Sequence, residues 1–144
     1  MKDFFRKYHR FAVVGLSRDP KSFSRGACKF LIDQGCELVA VNPREENIAG
    51  IVSMPSLDLI PEVDGAIFFT NPRVTVTLLP QCLDQGIKKV WFQQGSADEA
   101  VLKLAQQLGL SYVNSCVFLH HPRAGFPHNV HRAVARVFKL DNTL

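Results

Sequence analysis

The sequence predicts an α/β protein: a three-layer open parallel sheet of about five strands with helices on both faces. Three observations predict this class. Short apolar runs alternate with longer segments of helical period, which is typical of β-α-β units. The 144 residues suit one domain, predicted over 1–144. Hydrophobic residues make up 47% and charged residues 21%, a balance that can fill one core. The predicted arrangement is Rossmann-like.

The first two strands and the helix between them have clear signals. Residues 11–15 are uniformly apolar, as expected of a strand buried on both faces. Apolar spacing predicts a helix over 23–34, with Ser22 as its N-cap and Gly35 at its end. Residues 37–41 predict the second strand.

The middle of the chain is less regular. It carries at most one short strand, at 50–52, and a short turn or helix at 55–61. Residues 64–69 predict a further strand. Asn71 and Pro72 then begin a helix, with an N-cap and a proline at the first helical position.

The last part repeats the alternation. Strands are predicted at 89–92 and 110–113. The helix between them is predicted to begin with a capping box, in which Ser96 and Glu99 have the reciprocal spacing. An amphipathic helix at 129–138 is predicted to pack on the sheet, and a role in homo-oligomer formation stays open.

Composition limits the partners. The net charge of +4 suits an anionic ligand, but the basic residues form no run that would bind nucleic acid. No apolar stretch reaches the roughly 18 residues of a membrane span, and the N-terminus lacks a secretory signal. The four cysteines are far apart, which favours thiols over a disulfide framework. These features predict a cytoplasmic protein with neither a nucleic-acid nor a membrane partner.

The loop after the first strand carries the strongest functional signal. Right-handed crossovers place all strand ends at one edge of the sheet, where ligands bind. Gly15 allows a sharp turn, Ser17 can donate to a phosphate, and a helix N-terminus follows at Ser22. The cations of this loop are Arg18, Lys21 and Arg25. The pattern predicts a phosphate-bearing small-molecule nucleotide cofactor; the alternative is a plain turn with solvated basic residues.

The loop differs from the ordinary dinucleotide fingerprint. Ser17 occupies the position of the second glycine in Gly-x-Gly-x-x-Gly. The second strand ends in Asn42 and Pro43, where NAD-binding domains place an acidic residue, and Arg44 follows. A cation there suits an additional phosphate. NAD is therefore disfavoured, and NADP stays possible.

Four segments in this order resemble a known family. They are Val14-Gly-Leu-Ser17, Val41-Asn-Pro43, 69–73 and Trp91-Phe-Gln-Gln-Gly95. Together they look like the stand-alone CoA-binding domain family, which is related to the CoA-binding domains of succinyl-CoA synthetase α subunits and of acyl-CoA synthetases. The resemblance covers roughly residues 8–123.

The resemblance implies coenzyme A as the cofactor, lying across the strand-end edge. Because the strand-end loops offer cations and amides but no paired carboxylates, the chain is predicted to bind CoA or an acyl-CoA without catalysis. The resemblance also implies that the first loop faces the phosphates, through Gly15, Leu16, Ser17, Arg18, Lys21 and Ser22. It places the adenosine or its 3′-phosphate beside Asn42, Pro43 and Arg44. The adenine would be walled by Phe69, Asn71, Pro72 and Arg73, and the pantetheine arm flanked by Gln94 and Gly95.

The sequence also departs from that family. Relatives are expected to carry Phe-Arg where this chain has Phe69-Thr70, and two charged residues where it has Asn114 and Ser115 before Cys116. The synthetases' phosphorylated histidine belongs to another domain, so no ligase activity is predicted. The alternatives left open are a nucleotide- or acyl-CoA-dependent enzyme and an NADP-binding reductase.

Histidines gather near the C-terminus with one cysteine: Cys116, His120, His121, His128 and His131. Adjacent histidines are poorly spaced for zinc, so no metal site is predicted. A nucleophilic Cys116 is the other alternative, and it needs an accessible thiolate. The apolar residues after Cys116 favour a buried structural thiol, so no catalytic residue is predicted.

Overall fold

The computed structural model describes residues 4–44 and 46–120. Within these ranges seven strands run in chain order: β1 (Arg10–Val14), β2 (Glu37–Val41), β3 (Asn47–Ile48), β4 (Ile51–Met54), β5 (Gly65–Phe68), β6 (Lys89–Phe92) and β7 (Ser111–Asn114). The helices are α1 (Phe4–Lys7), α2 (Phe23–Asp33), α3 (Pro72–Asp84), α4 (Glu99–Gln107) and α5 (Val117–His120). A short 3-10 helix covers Leu57–Leu59.

The sheet has the order β3-β4-β2-β1-β5-β6-β7. All neighbouring pairs are parallel except β3 with β4. Without β3, the strands numbered along the chain follow the order 3-2-1-4-5-6, which is that of dinucleotide-binding folds. The predicted Rossmann-like class is confirmed, with more strands than the expected five. The strand order reverses between β1 and β5, and ligands of such sheets bind beside that point.

Helices cover both faces of the sheet. The side chains of β1 alternate between these two faces and therefore contribute to both layers of the core. Ala12 and Val14 belong to a core shared with α3 and α4. Phe11 and Val13 point to the opposite face, which α2 covers. Trp91 is completely buried, as expected of an aromatic residue in a central strand.

Two of the three predicted helix starts are confirmed. The Ser22 hydroxyl accepts from the Arg25 N–H at 3.3 Å, and Asn71 Oδ1 accepts from the Val74 N–H at 3.0 Å. The capping box at Ser96 is wrong. The helix begins at Glu99, and the Asp98 carboxylate caps it through the Val101 N–H at 2.9 Å.

The other differences involve short segments. The predicted strand at 50–52 proves to be part of a β3–β4 hairpin, whose turn contains Ala49 and Gly50 with positive φ. Helix α1 was not predicted from the sequence; its Phe5 ring lies 4.9 Å from Trp91 between ring centroids. The helix predicted at 129–138 lies outside the described residues. No helix in the described part of the chain is long and apolar enough to cross a bilayer.

No disulfide joins the four cysteines, all of which lie in the described ranges and are buried. Cys28 lies on α2 and Cys82 on α3, on opposite faces of the sheet. Burial raises the pKa of each of these two thiols to about 12, so both stay protonated at neutral pH. A buried neutral thiol behaves as a small apolar side chain.

Gly26 provides a test of the helical assignment of α2. A Cβ added there would meet no atom within 4 Å, and glycine within a helix costs about 0.5–1 kcal/mol relative to alanine. We therefore expect Gly26→Ala to raise the free energy of unfolding by about 0.5–1 kcal/mol in urea denaturation. Gly86→Ala is the matched control, because Gly86 is equally open but has φ +75. It should lower that free energy; a shift in the same direction for both variants would contradict the assignment.

A carboxylate holds the amino-terminal edge of the sheet together. Asp64, which precedes β5, accepts on Oδ2 from the backbone N–H groups of His9 at 2.9 Å and Arg10 at 3.0 Å. These two bonds lower the pKa of the Asp64 carboxyl from its ordinary value of 3.8, and the bond from Arg10 has the larger effect.

Because that pKa is lower in the folded state, the carboxylate stabilises the fold at a pH above 3.8 and loses this effect as the pH falls through the folded-state pKa. Asp64→Asn keeps an accepting oxygen and removes the charge. We expect it to lower the urea midpoint at pH 7 and to approach the wild type as the pH falls well below 3.8. The exposed Glu62, exchanged for glutamine, serves as the control. A difference between wild type and Asp64→Asn that persists at low pH would contradict this account.

Candidate cofactor-binding site

The switch point of the sheet is closed by a direct contact between two loops. Gly15 has φ +92, and a Cβ built on it would lie 2.8 Å from the Thr70 backbone N and 2.9 Å from the Phe69 backbone C. The Phe69 N–H donates to the Val14 carbonyl at 2.7 Å, which draws the loops together. Only glycine fits here, because every other residue would place its Cβ against main-chain atoms.

A crevice lies on each side of this contact, along the carboxyl edge of the sheet. One, of about 450 Å³, is named the amide cleft; the other, of about 600 Å³, is named the cationic cleft. Both are lined by Gly15, Ser17 and Thr70. The amide cleft is completed by Ser22, Phe23, Ser24, Phe69, Asn71, Gln93, Gln94, Gly95 and Ser96. The cationic cleft is completed by Val14, Leu16, Arg18, Val41, Asn42, Pro43, Arg44, Pro55, Val74 and Leu78.

The two clefts differ in charge. Among the described residues that line it, the amide cleft has no ionisable side chain; hydroxyls, carboxamides and two phenylalanine rings form its wall. The cationic cleft has Arg18 and Arg44 and, among the described residues that line it, no acidic one. Its remaining wall is mostly apolar. An anionic group is therefore favoured in the cationic cleft, and neutral polar groups in the amide cleft.

The first loop is held in shape by its own side chains. The Ser17 N–H donates to the Ser24 hydroxyl at 3.0 Å, and the Asp19 N–H donates to the Ser17 hydroxyl at 3.1 Å. The Arg25 guanidinium donates to the Arg18 carbonyl at 2.8 Å. The loop thus runs directly into the first turn of α2, whose leading N–H groups have no partner within the helix. The partial positive charge at this helix N-terminus favours an anion beside the loop.

The loop after β2 positions a cation. The Asn42 N–H donates to the Met54 carbonyl at 2.9 Å, which ties the loop to β4. The Asn42 side-chain oxygen accepts from the Arg44 N–H at 2.8 Å and forms an Asx turn. Arg44 therefore projects from an ordered turn at the rim of the cationic cleft.

Most of the residues predicted from the sequence line one or both clefts. Those at the amide cleft are Gly15, Ser17, Ser22, Phe69, Asn71, Gln94 and Gly95. Leu16, Arg18, Asn42, Pro43 and Arg44 line the cationic cleft. Lys21, Pro72 and Arg73 line neither: Pro72 is the first residue of α3, and the other two are exposed.

Several lining residues are not among those predicted from the sequence. Thr70 separates the two clefts, and its hydroxyl lies 2.7 Å from that of Thr75. Ser24, Gln93 and Ser96 are buried in the wall of the amide cleft. Gln93 directly follows β6 and Thr70 lies two residues after β5, and their places in these exit loops could have included them. The burial of Ser24 depends on how α2 packs, which the sequence does not specify.

The structure tests only part of the two alternatives for the C-terminal cluster, which are a metal site and a nucleophilic Cys116. Cys116 is completely buried, which disfavours a nucleophilic thiol. No group of three or more His, Cys, Asp or Glu side chains that could hold a metal occurs among the described residues. His121, His128 and His131 lie outside them.

The strand order and the crevice at its switch point define the class: a Rossmann-type α/β domain with a ligand site at the carboxyl edge. Within this class, residues 9–122 match the family described as CoA binding domain. The match spans well over half of the chain, so the chain belongs to this family. The resemblance inferred from four short segments is confirmed.

The chain is also similar to individual proteins of known sequence or structure. The chain is 29% identical to the uncharacterized protein YneT of Bacillus subtilis over 126 residues, covering 84% of the chain and 91% of YneT. It is 30% identical over 137 residues to the alpha subunit of an ADP-forming acetate–CoA ligase II of Pyrococcus furiosus, covering 86% of the chain but 30% of that subunit. A solved structure of a hypothetical protein from Pyrococcus horikoshii superimposes with a TM-score of 0.78 at 29% identity, covering 85% of this chain and 88% of that one.

Proposed function

We propose that this chain binds coenzyme A or an acyl-CoA across the carboxyl edge of its sheet and holds it without catalysing a reaction. The observation that supports this most is the division of charge between the two clefts. Coenzyme A has the same division, with a phosphorylated nucleotide at one end and a neutral amide-containing arm at the other. Family membership supports the same ligand.

In the proposed complex the phosphates lie at the cationic cleft and the loop before α2. Arg18 and Arg44 neutralise them, and the N-terminus of α2, which follows the same loop, adds a partial positive charge. Arg44 is held by its Asx turn beside the nucleotide end. The pantetheine arm passes the Gly15–Thr70 contact and enters the amide cleft.

The chemistry of the amide cleft supports a binding role. Catalysis needs a positioned acid, base or nucleophile near the reacting group. Hydroxyls and carboxamides line this cleft among the described residues, and the nearby Cys116 is buried. The ligase activity named for the Pyrococcus furiosus relative belongs to a protein of which this chain covers 30%.

A second candidate is an NADP-binding protein. Arg44 follows β2 where an arginine accommodates the 2′-phosphate of NADP in dinucleotide-binding domains. The amide cleft would then hold the nicotinamide. The two candidates differ in the neutral half of the ligand and can be separated by binding alone.

A thermal-shift screen followed by calorimetry tests the proposal. Purified full-length protein is measured with CoA, acetyl-CoA, NADP, NAD, ATP and ADP. We expect CoA and acetyl-CoA to raise the melting temperature and NADP to have little effect, since only a ligand that binds the folded state stabilises it. A large shift with NADP and none with CoA would reverse the assignment. Release of free CoA from acetyl-CoA above the buffer rate would contradict the non-catalytic role.

A further inference from the structure

One buried side chain in the amide cleft has an unused hydrogen-bond donor. Gln93 follows β6, lines the cleft and is 3% exposed. Its backbone N–H donates to the Phe68 carbonyl at 3.0 Å, and its carbonyl accepts from the Ser96 N–H at 2.8 Å. Both main-chain groups are therefore satisfied, and the loop has little freedom to move at this residue.

The orientation of the Gln93 carboxamide is also determined. The Val117 N–H, at the start of α5, donates to Gln93 Oε1 at 3.1 Å. A backbone N–H needs an acceptor, so the oxygen must face Val117 and the nitrogen the other way. Gln93 Nε2 is buried and has no hydrogen-bond partner.

An orphaned buried donor destabilises a protein unless something outside the chain satisfies it. The wall of the amide cleft has no cation among the described residues, which disfavours a phosphate there. The complement of a neutral N–H donor in such surroundings is a carbonyl oxygen. The arm of an acyl-CoA offers carbonyls of two kinds, its amides and its thioester.

We infer that Gln93 is a specificity-determining residue, whose Nε2 donates a hydrogen bond to a carbonyl oxygen of the ligand's arm. This inference rests on the proposed function. Val117 engages the Oε1 end of the carboxamide and leaves the Nε2 end without a partner in a residue that lines the cleft.

Two substitutions of Gln93 test the inference through the Kd for acetyl-CoA, which carries both kinds of carbonyl, measured by calorimetry on the full chain. Gln93→Glu keeps an oxygen for the Val117 N–H and replaces the donor with an acceptor. Gln93→Met removes both polar atoms at similar volume and serves if the charged variant folds poorly. We expect Gln93→Met to bind acetyl-CoA about 3- to 10-fold more weakly and Gln93→Glu at least about 10-fold more weakly. Gln81→Glu, an exposed change on α3, should leave the Kd unaltered.

The source of the carbonyl is resolved by comparing acetyl-CoA with S-ethyl-CoA, a thioether that lacks the thioester oxygen. If the thioester is recognised, the wild type prefers acetyl-CoA and both Gln93 variants lose this preference. If an amide of the arm is recognised, the variants weaken both ligands equally. Wild-type affinity for acetyl-CoA in both Gln93→Met and Gln93→Glu would overturn the inference while leaving the proposed function intact. A wild type that fails to bind CoA would defeat the proposed function itself.

Discussion

Replacing Gly15 by alanine is expected to lower the free energy of unfolding by about 2–4 kcal/mol, the largest effect of any single methyl group added near the site. Two penalties combine. The residue must keep a positive φ of +92, and its new Cβ would lie under 3.0 Å from main-chain atoms of Phe69 and Thr70. Those atoms belong to the main chain directly after β5 and cannot move aside like a flexible side chain. Urea denaturation of purified protein measures the loss.

Gly95 provides the matched control for that experiment. Its φ of +95 is nearly that of Gly15, but a Cβ added there would meet no atom within 4 Å. Gly95→Ala should therefore show the conformational penalty alone, about 1–2 kcal/mol. Equal losses in the two variants would mean that the contact between the loops after β1 and β5 is not tight.

The second large effect is expected for charge reversal in the cationic cleft. Arg44→Glu should weaken CoA binding by about 1–3 kcal/mol, or roughly 5- to 150-fold in Kd, because a charge-assisted contact is replaced by repulsion. Calorimetry at low and moderate salt provides the measurement, and the penalty should shrink as salt rises. Lys88→Glu makes the same change in net charge at the opposite edge of the sheet and should bind as the wild type does.

Dephospho-CoA identifies the group that Arg44 contacts. If this is the 3′-phosphate, removing that phosphate from the ligand should remove most of the penalty of Arg44→Glu. A penalty of the same size with both ligands would assign Arg44 to the diphosphate instead. Unchanged affinity for CoA in Arg44→Glu would remove this residue from the proposed site.

The fold was predictable because its parallel strands are short apolar runs bounded by glycine, proline and capping residues. β2 and β6 were predicted at their observed bounds. The β3–β4 hairpin was not, because two to four residues per strand carry too little periodicity. α1 was missed for a similar reason: it is one turn long, and its place depends on aromatic contacts with distant β-strands.

The site was predictable at the level of loops, since right-handed crossovers gather the strand ends at one edge. The sequence did not predict the direction in which individual side chains of these loops point. Lys21 follows Ser17 and Arg18 in the same basic loop, but the loop turns it towards solvent through the bond from its N–H to the Asp19 carboxylate at 2.9 Å. Gln93 shows the converse: its burial and its orphaned donor arise from packing against α5.

The high pKa values of Cys28 and Cys82 make them natural reporters of local opening. With both thiols protonated and covered, alkylating reagents can react only when a helix moves off the sheet. One reports on the layer containing α2 and the other on the layer containing α3. Alkylation rates of these two native cysteines, measured by mass spectrometry with and without nucleotide, would thus show which helical layer the bound nucleotide rigidifies.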